Sequence, residues 1–363
     1  MSSPIIVSVQ PNSAAERVVC TKVLLAEPRG FCAGVEKAIK ALGWMVKVFE
    51  PPVYCFHEIV HNKVVVERFA AKGVIFVDSV DEVPPGAVVM LSAHGSSPEV
   101  VEASSQANRI SVNAVCPLVT KVHHEVKVRS KKGYEIIYVG HIGHDEAIGT
   151  VAEAPEHVHL VETEEQLEQL PDFSADQEVA LLAQTTLSMD EWADIRDRAL
   201  EHYPNLWMPN RSDLCFATTN RQGALKQIAH LADSIVVIGS ANSSNTVALE
   251  KVARAAGCKS VFRINSVAEL PPNLDGVVGV TAGASAPDEL VEQVLDKLAP
   301  TDGIEVISHV DEDEYFPPPP ELRELMKAIE DLTMIAFALP RSGESVLEDD
   351  RSISASLVLS HLN

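Results

Sequence analysis

The chain has 363 residues, 46% of them hydrophobic, and carries 52 acidic against 29 basic side chains, a formal charge of −23 at neutral pH. That balance argues against nucleic acid or an anionic membrane as the main partner, although helix N-termini and histidines can still hold an anion locally. No apolar run nears the ~18–20 residues that span a bilayer. The first twenty residues lack a basic segment followed by an apolar core, so no signal peptide is expected and a cytoplasmic location is the default.

Residues 1–20 read as a flexible extension, and a strand over KVLLA (22–26) opens a first unit expected over 21–115. In GFCAGVEKAIKAL (30–42), Val35, Ala38, Ile39 and Leu42 recur at helical spacing. Cys32 thus falls at a helix N-terminus, where backbone N–H groups and the macrodipole favour a thiolate. Gly30 and Gly34 leave room beside it for something bulky. A strand over VYCF (53–56) runs into the polar loop HEIVHN (57–62), which holds His61. Strands over GVIFV (73–77) and AVVMLSA (87–93) follow, the second running into AHGSS (93–97) with His94.

Cys116 opens a second unit, 116–214. Its strand EIIYVG (135–140) leads into HIGHDE (141–146), with His144 and Glu146, and VALLA (179–183) leads into QTTLS (184–188), with Thr185 and Thr186. Cys215 opens a third unit, 215–300, in which SIVVIG (234–239) leads into SANSSN (240–245), with Ser243, Ser244 and Asn245. There VVGV (277–280) precedes TAGAS (281–285), with Ser285. Residues 301–324 are expected to pack back on the body, and 325–363 to hold a helix over LMKAIEDLTMIAFAL and then a mobile tail.

The spacing repeats. Gly140 lies 24 residues after Cys116 and Gly239 lies 24 after Cys215, while His57 and His141 each lie 25 after Cys32 and Cys116. The second polar loops all fall between 61 and 72 residues after their cysteine. Three diverged copies of one unit are the natural reading. Alternating strands and helices indicate α/β units with mainly parallel sheets, whose ligands sit at the carboxyl ends of the strands. Arranged about a pseudo-threefold axis, they would bring Cys32, Cys116, Cys215 and six polar loops to one centre. Cys20, Cys55 and Cys258 fall outside the pattern, and no CxxC pair or disulfide framework is present.

Three thiolates without a fourth leave a zinc site completed by histidine or a cubane iron–sulfur cluster. Gaps of 84 and 99 residues are unusual for zinc. A cubane usually takes four cysteines, so three would leave one iron without a protein thiolate and open to a substrate oxygen. His61, His94 and His144, with Ser243, Ser244, Asn245 and Ser285, are donors suited to phosphate oxygens. Glu146 is the carboxylate best placed to deliver a proton, and Thr185 and Thr186 can hold a substrate hydroxyl. No nucleotide-binding fingerprint appears.

The motifs RGFCAGVEKAI, HEIVHN, SAHGSSP, CPLVTKVH, GHIGHDEAIGT, QTTLS, CFATTNRQ, NSSNT and TAGASAPD, in this order over roughly residues 22–324, resemble those of the 4-hydroxy-3-methylbut-2-enyl diphosphate reductase family. The resemblance implies a trefoil of three α/β domains around one oxygen-sensitive [4Fe–4S] cluster per chain, held by Cys32, Cys116 and Cys215. It implies reductive removal of an allylic hydroxyl, with electrons from a ferredoxin or flavodoxin, to give isopentenyl and dimethylallyl diphosphates. His61, His94, His144, Ser243, Ser244, Asn245 and Ser285 would then bind the diphosphate, Glu146 would give the proton and Thr185 would steady the hydroxyl. One departure is Ile148, where many relatives carry an acidic residue.

Overall fold

The computed structural model describes residues 20–171, 173–174, 176–337 and 350–362, so nearly all of the extension expected at 1–20 lies outside the described residues. The described chain opens with β1 (Cys20–Glu27) and α1 (Ala33–Val48). It continues through β2 (Val53–Phe56), α2 (Lys63–Ala71), β3 (Val74–Val77), β4 (Val88–Leu91), α3 (Pro98–Ser104) and β5 (Ile110–Asn113). A second run comprises α4 (Pro117–Lys131), β6 (Glu135–Val139), α5 (Asp145–Val151), β7 (Val158–Val161), α6 (Glu164–Glu168), β8 (Val179–Ala183) and α7 (Met189–His202). A third comprises α8 (Phe216–Ala229), β9 (Ser234–Ile238), α9 (Ser244–Ala255), β10 (Ser260–Ile264), β11 (Gly276–Ala282), α10 (Asp288–Leu298) and β12 (Ile304–Ser308). Then come α11 (Pro320–Phe337) and α12 (Ala355–Ser360).

Three sheets result, with strand orders β3-β2-β4-β5, β7-β6-β8 and β10-β9-β11-β1-β12, and every pairing among them is parallel. Strands β2, β4, β8 and β9 are buried along their whole length. Their unbroken apolar sequences suit parallel sheets covered by helices on both faces.

One expectation changes. The strand at 20–27 belongs to the third sheet, not the first, because both its faces are apolar and both find partners there. Val23 and Leu25 pack with Val236, Ile238, Val278 and Val280. On the other face Leu24 and Ala26 pack with Ala224, Leu225 and Ile228 of α8.

The inner strand order is the same in all three units: β3-β2-β4, β7-β6-β8 and β10-β9-β11. Beside the third strand of each lies a fourth element: β5, a single parallel bridge from Ala180 to Trp207, or β1. Each fourth element leads along the chain to the next cysteine, β5 to Cys116, the Trp207 segment to Cys215 and β1 to Cys32. The repeat is therefore cyclic. Counting forward from the cysteines could not reveal this, because β1 stands next to Cys32 in sequence whichever sheet it joins.

The chain's last described residues close over the first unit. Leu322 and Met326 of α11, Ala355 and Leu359 of α12, and Leu362 join the core built around α1 and β2. Gly43 of α1 makes this approach possible, since a Cβ there would overlap Val358 Cγ1. Lys40 and Asp350 form a buried ion pair at 2.8 Å, and the Tyr315 hydroxyl donates to the same carboxylate at 3.0 Å. Residues 350–362, expected in a mobile tail, are thus packed, because they supply the partners of a buried lysine. Among the described residues no helix is long and apolar enough to cross a membrane.

Removing one partner of a buried ion pair costs about 3–5 kcal/mol, whereas replacing both by apolar groups is often neutral. Asp350→Ala should therefore lower the melting temperature by several degrees, and the double variant Lys40→Met/Asp350→Leu should regain most of it. An unchanged melt for Asp350→Ala would show that the pair does not fasten the chain's end.

Candidate active site

Each of the three cysteines is the N-cap of a helix, Cys32 for α1, Cys116 for α4 and Cys215 for α8. The backbone N–H of each donates to a second polar loop at the end of the neighbouring sheet: Cys32 to the Ala284 carbonyl at 3.1 Å, Cys116 to Ala93 at 3.0 Å and Cys215 to Thr185 at 3.0 Å. All three thiols line one central cavity. Gly34 keeps it open, because a Cβ there would lie 2.7 Å from Cys116 Sγ and 3.9 Å from Cys32 Sγ. Cys215 Sγ accepts from the Thr218 N–H at 3.3 Å and lies 3.0 Å from its hydroxyl.

Burial, reinforced by the Cys32 thiol, pushes Cys116 and Cys215 up to about 12. At these two positions burial outweighs the helix terminus, contrary to the thiolate-favouring effect expected of it. Soft sulfur donors of this kind ionise only when a cation arrives. Three converging thiols around a space kept clear by a glycine fit an iron–sulfur group.

The histidines come from three different loops and pack together. His61 and His94 stack with ring centroids 3.7 Å apart, and His144 meets them edge-on at 5.3 and 6.1 Å. Burial, with the neighbouring rings, drives His94 well below its usual pKa and His144 down to about 4. His144 Nδ1 accepts from the Glu146 N–H at 3.1 Å as the cap of α5, which leaves the neutral ring's proton on Nε2. The Nε2 atoms of His61 and His94 are buried without a hydrogen-bond partner. Imidazole nitrogens left open in this way can donate to an anion, with the Glu58 and Asp145 carboxylates at the edge of the cluster.

The third unit ties these loops together. Ser285 Oγ donates to the His61 carbonyl at 2.9 Å, and Ser244 Oγ lies 3.1 Å from His141 Nδ1 and accepts from Gln184 at 3.3 Å. Asn245 Oδ1 accepts from the Ala284 N–H at 3.0 Å, and Ser243 Oγ caps α9 through the Thr246 N–H.

Glu146 is 2% exposed. One carboxylate oxygen accepts the Thr185 N–H at 2.7 Å and the other the Thr185 hydroxyl at 2.9 Å. Burial outweighs both bonds and raises its pKa to about 7. The Thr186 hydroxyl accepts from Gln184 at 2.8 Å.

Thus Cys32, Cys116, Cys215, His61, His94, His144, Glu146, Thr185, Thr186, Ser243, Ser244, Asn245 and Ser285 all line the same cavity. Ile148 does not; it is 54% exposed on α5, so its departure from the acidic pattern falls at the surface.

Sequence reasoning passed over three residues. Thr218 contacts Cys215 Sγ from the third position of α8, a place where capping makes a threonine ordinary. His57 and Asp145 form a pair at 2.9 Å beside the histidine stack, with His57 held at φ +58°. Both sit inside motifs already quoted, and His57 had been noted only for its spacing.

Residues 23–299 match the family model described as LytB protein. A 4-hydroxy-3-methylbut-2-enyl diphosphate reductase of Acidothermus cellulolyticus is 45% identical over 315 residues, 85% of this chain and 92% of the relative. One from Rhodopirellula baltica is 45% identical over 307 residues, 83% of this chain and 96% of the relative. The solved structure of the E-1-hydroxy-2-methyl-but-2-enyl-4-diphosphate reductase of Plasmodium falciparum aligns with a TM-score of 0.82 at 33% identity, covering 86% of this chain and 99% of that one.

Gly34→Ala places a methyl group 2.7 Å from Cys116 Sγ. Iron and sulfide bound after anaerobic reconstitution should fall severalfold with the far-ultraviolet circular dichroism unchanged; full iron content would show that the space is not needed. Glu146 gives a second test. With a folded pKa of about 7 against 4.5, the folded state keeps a proton that the unfolded state releases, so this group's contribution to stability falls as pH rises through that window. The melting-temperature advantage of Glu146→Gln over the wild type should therefore grow between about pH 5 and about pH 8. A difference that stays constant would mean the carboxyl is not held protonated.

Proposed function

The chain belongs to the LytB family, and on that ground we propose that it reductively removes the allylic hydroxyl of 4-hydroxy-3-methylbut-2-enyl diphosphate, giving isopentenyl and dimethylallyl diphosphates. The observation that carries this reading is Glu146, a buried acid of pKa about 7 in the same cavity as three thiols and two histidines whose Nε2 atoms have no hydrogen-bond partner.

Cys32, Cys116 and Cys215 would hold a [4Fe–4S] cluster, one per chain, with one iron free of protein thiolate. When bound, that cluster supplies single electrons and Lewis acidity. The diphosphate takes the anion site of His61, His94 and His144, with Ser243, Ser244, Asn245 and Ser285 around it. His144 meets it as an Nε2–H donor, because its Nδ1 is occupied by the helix cap. A bound diphosphate raises the pKa of these rings, so binding draws protons into the site.

Glu146 is about half protonated at neutral pH, and Thr185 donates to both of its carboxylate oxygens, which fixes the carboxyl's orientation in the cavity. The substrate's C–O bond breaks, and its hydroxyl takes the Glu146 proton and leaves as water. Two electrons, from a reduced ferredoxin or flavodoxin, and a second proton complete the balance. That second proton enters at either end of the allylic unit, which accounts for two products.

The test follows oxidation of a reduced viologen dye under strict anaerobiosis after addition of the substrate. Two dye equivalents should be consumed for each five-carbon diphosphate formed. An intact cluster with no electron consumption would move the chain to a dehydratase. Glu146→Gln should cut turnover by about 100-fold or more while leaving inorganic diphosphate affinity nearly unchanged; equal turnover would remove Glu146 from the proton path.

A further inference from the structure

Each cysteine helix also sends a basic side chain to the segment just ahead of the next cysteine around the ring. Lys37 of α1 donates its Nζ to the Val115 carbonyl at 2.7 Å, next to Cys116. Lys121 of α4 lies 3.7 Å from Asp213 Oδ1, two residues before Cys215. Arg221 of α8 donates to the Gly30 carbonyl at 2.9 and 3.0 Å and to Phe31 at 3.2 Å, just before Cys32. The three clamps occupy matching places, but their charges are handled differently. Arg221 is paired with Glu312 at 3.0 Å, and Lys121 faces a carboxylate. Lys37 is 7% exposed, and among the described residues no carboxylate lies within ion-pair distance of it.

A buried ammonium bonded only to a carbonyl is expensive unless an anion completes its surroundings. Cys116 and Glu321 both act on it electrostatically, Arg323 opposes them, and of these groups the cysteine is the one that gains negative charge when the site is loaded. We infer that Lys37 is a positioning residue for the iron–sulfur cluster: it fixes the Cys116 segment through Val115, and its charge offsets the thiolates and favours the cluster's reduced state. This rests on the reading of Cys32, Cys116 and Cys215 as cluster ligands. Reduction adds one electron from an external reductant and makes no new bond to the protein. The nearby positive charge therefore acts on the equilibrium through Coulomb attraction, which is strong where water is excluded.

Two variants separate anchoring from charge. Lys37→Gln keeps an N–H donor for Val115 without the charge, and Lys37→Arg keeps the charge. Each is purified anaerobically as the full chain, assayed for iron and sulfide, and titrated with dithionite while the reduced cluster is followed by electron paramagnetic resonance. In Lys37→Gln the ratio of reduced to oxidised cluster at a given potential should fall about tenfold, a midpoint about 59 mV more negative for a one-electron couple, with Lys37→Arg close to wild type. Loss of the cluster in Lys37→Gln alone, with the circular dichroism unchanged, also supports the charge requirement. A Lys37→Gln protein with wild-type cluster content and midpoint overturns the inference, as does equal cluster loss in both variants. A wild-type chain that takes up no cluster overturns the cysteine reading itself.

Discussion

Three backbone hydrogen bonds, one from each cysteine N–H to a loop on the neighbouring sheet, are the constraint on which the site depends. Each begins at a helix N-cap and ends at the carboxyl side of a parallel strand, so it fixes at once a thiol, a helix start and a polar loop. His94 follows directly on Ala93, Thr185 is itself an acceptor, and Ser285 follows on Ala284. The same contact that orients a sulfur thus places a histidine, the partner of Glu146, or a serine. A unit that folded alone would have its cysteine but not the loop that the cysteine binds, and so would own only part of a site.

Closing that ring excludes water, and the exclusion sets the charge of nearly everything inside. Two thiols are pushed up, two imidazoles are pushed down and the Glu146 carboxyl is raised toward neutrality. These shifts look unrelated by residue type, yet all favour the uncharged form, as desolvation requires. The cavity is therefore poised for charges brought from outside: cations beside the sulfurs and an anion beside the rings. Glu146 is raised mainly by the same effect, with the Asp213 charge adding to it. Acids and imidazoles that face each other at the edge of the cluster go the other way: Asp145 and Glu58 are held low and His57 is raised, although burial opposes each shift.

Much of this was legible because chemistry-bearing loops in a parallel α/β unit fall at fixed distances from a helix start. The three cysteines and the polar residues of six loops could be paired by counting alone. What counting could not supply was anything decided by a partner distant in sequence. The sheet to which β1 belongs depends on β11 and β12, more than 240 residues away, and no local pattern reports it. Thr218 reads as an ordinary cap, and its contact with Cys215 appears only in three dimensions. The end of the chain looked mobile because the polar stretch PRSGESVLEDDRS leads into it, yet Asp350 is buried against Lys40 of α1 and Tyr315. Thr185 and Thr186 could not be told apart in sequence, whereas in three dimensions Thr185 binds Glu146 and Thr186 binds Gln184.

The position of β1 also explains an irregularity in the repeat. In the first sheet the fourth strand, β5, stays at the edge, and covalent continuity with the preceding elements keeps it there. β1 has no such continuity with β9, β10 and β11, yet it must carry Cys32 to the centre. An edge strand held by one ladder is the weakest place in a sheet at which to join chain segments far apart in sequence. Here β12 pairs with the open side of β1, making it an inner strand with parallel ladders on both flanks. Beyond β12, His309 donates its N–H to the Glu27 carbonyl, and Glu312 binds Arg221, whose other hydrogens hold Gly30 and Phe31. These contacts concentrate on the few residues between β1 and Cys32. The extra strand and the segment after it are therefore part of how the third cysteine contact is closed where the repeat itself provides no chain connection.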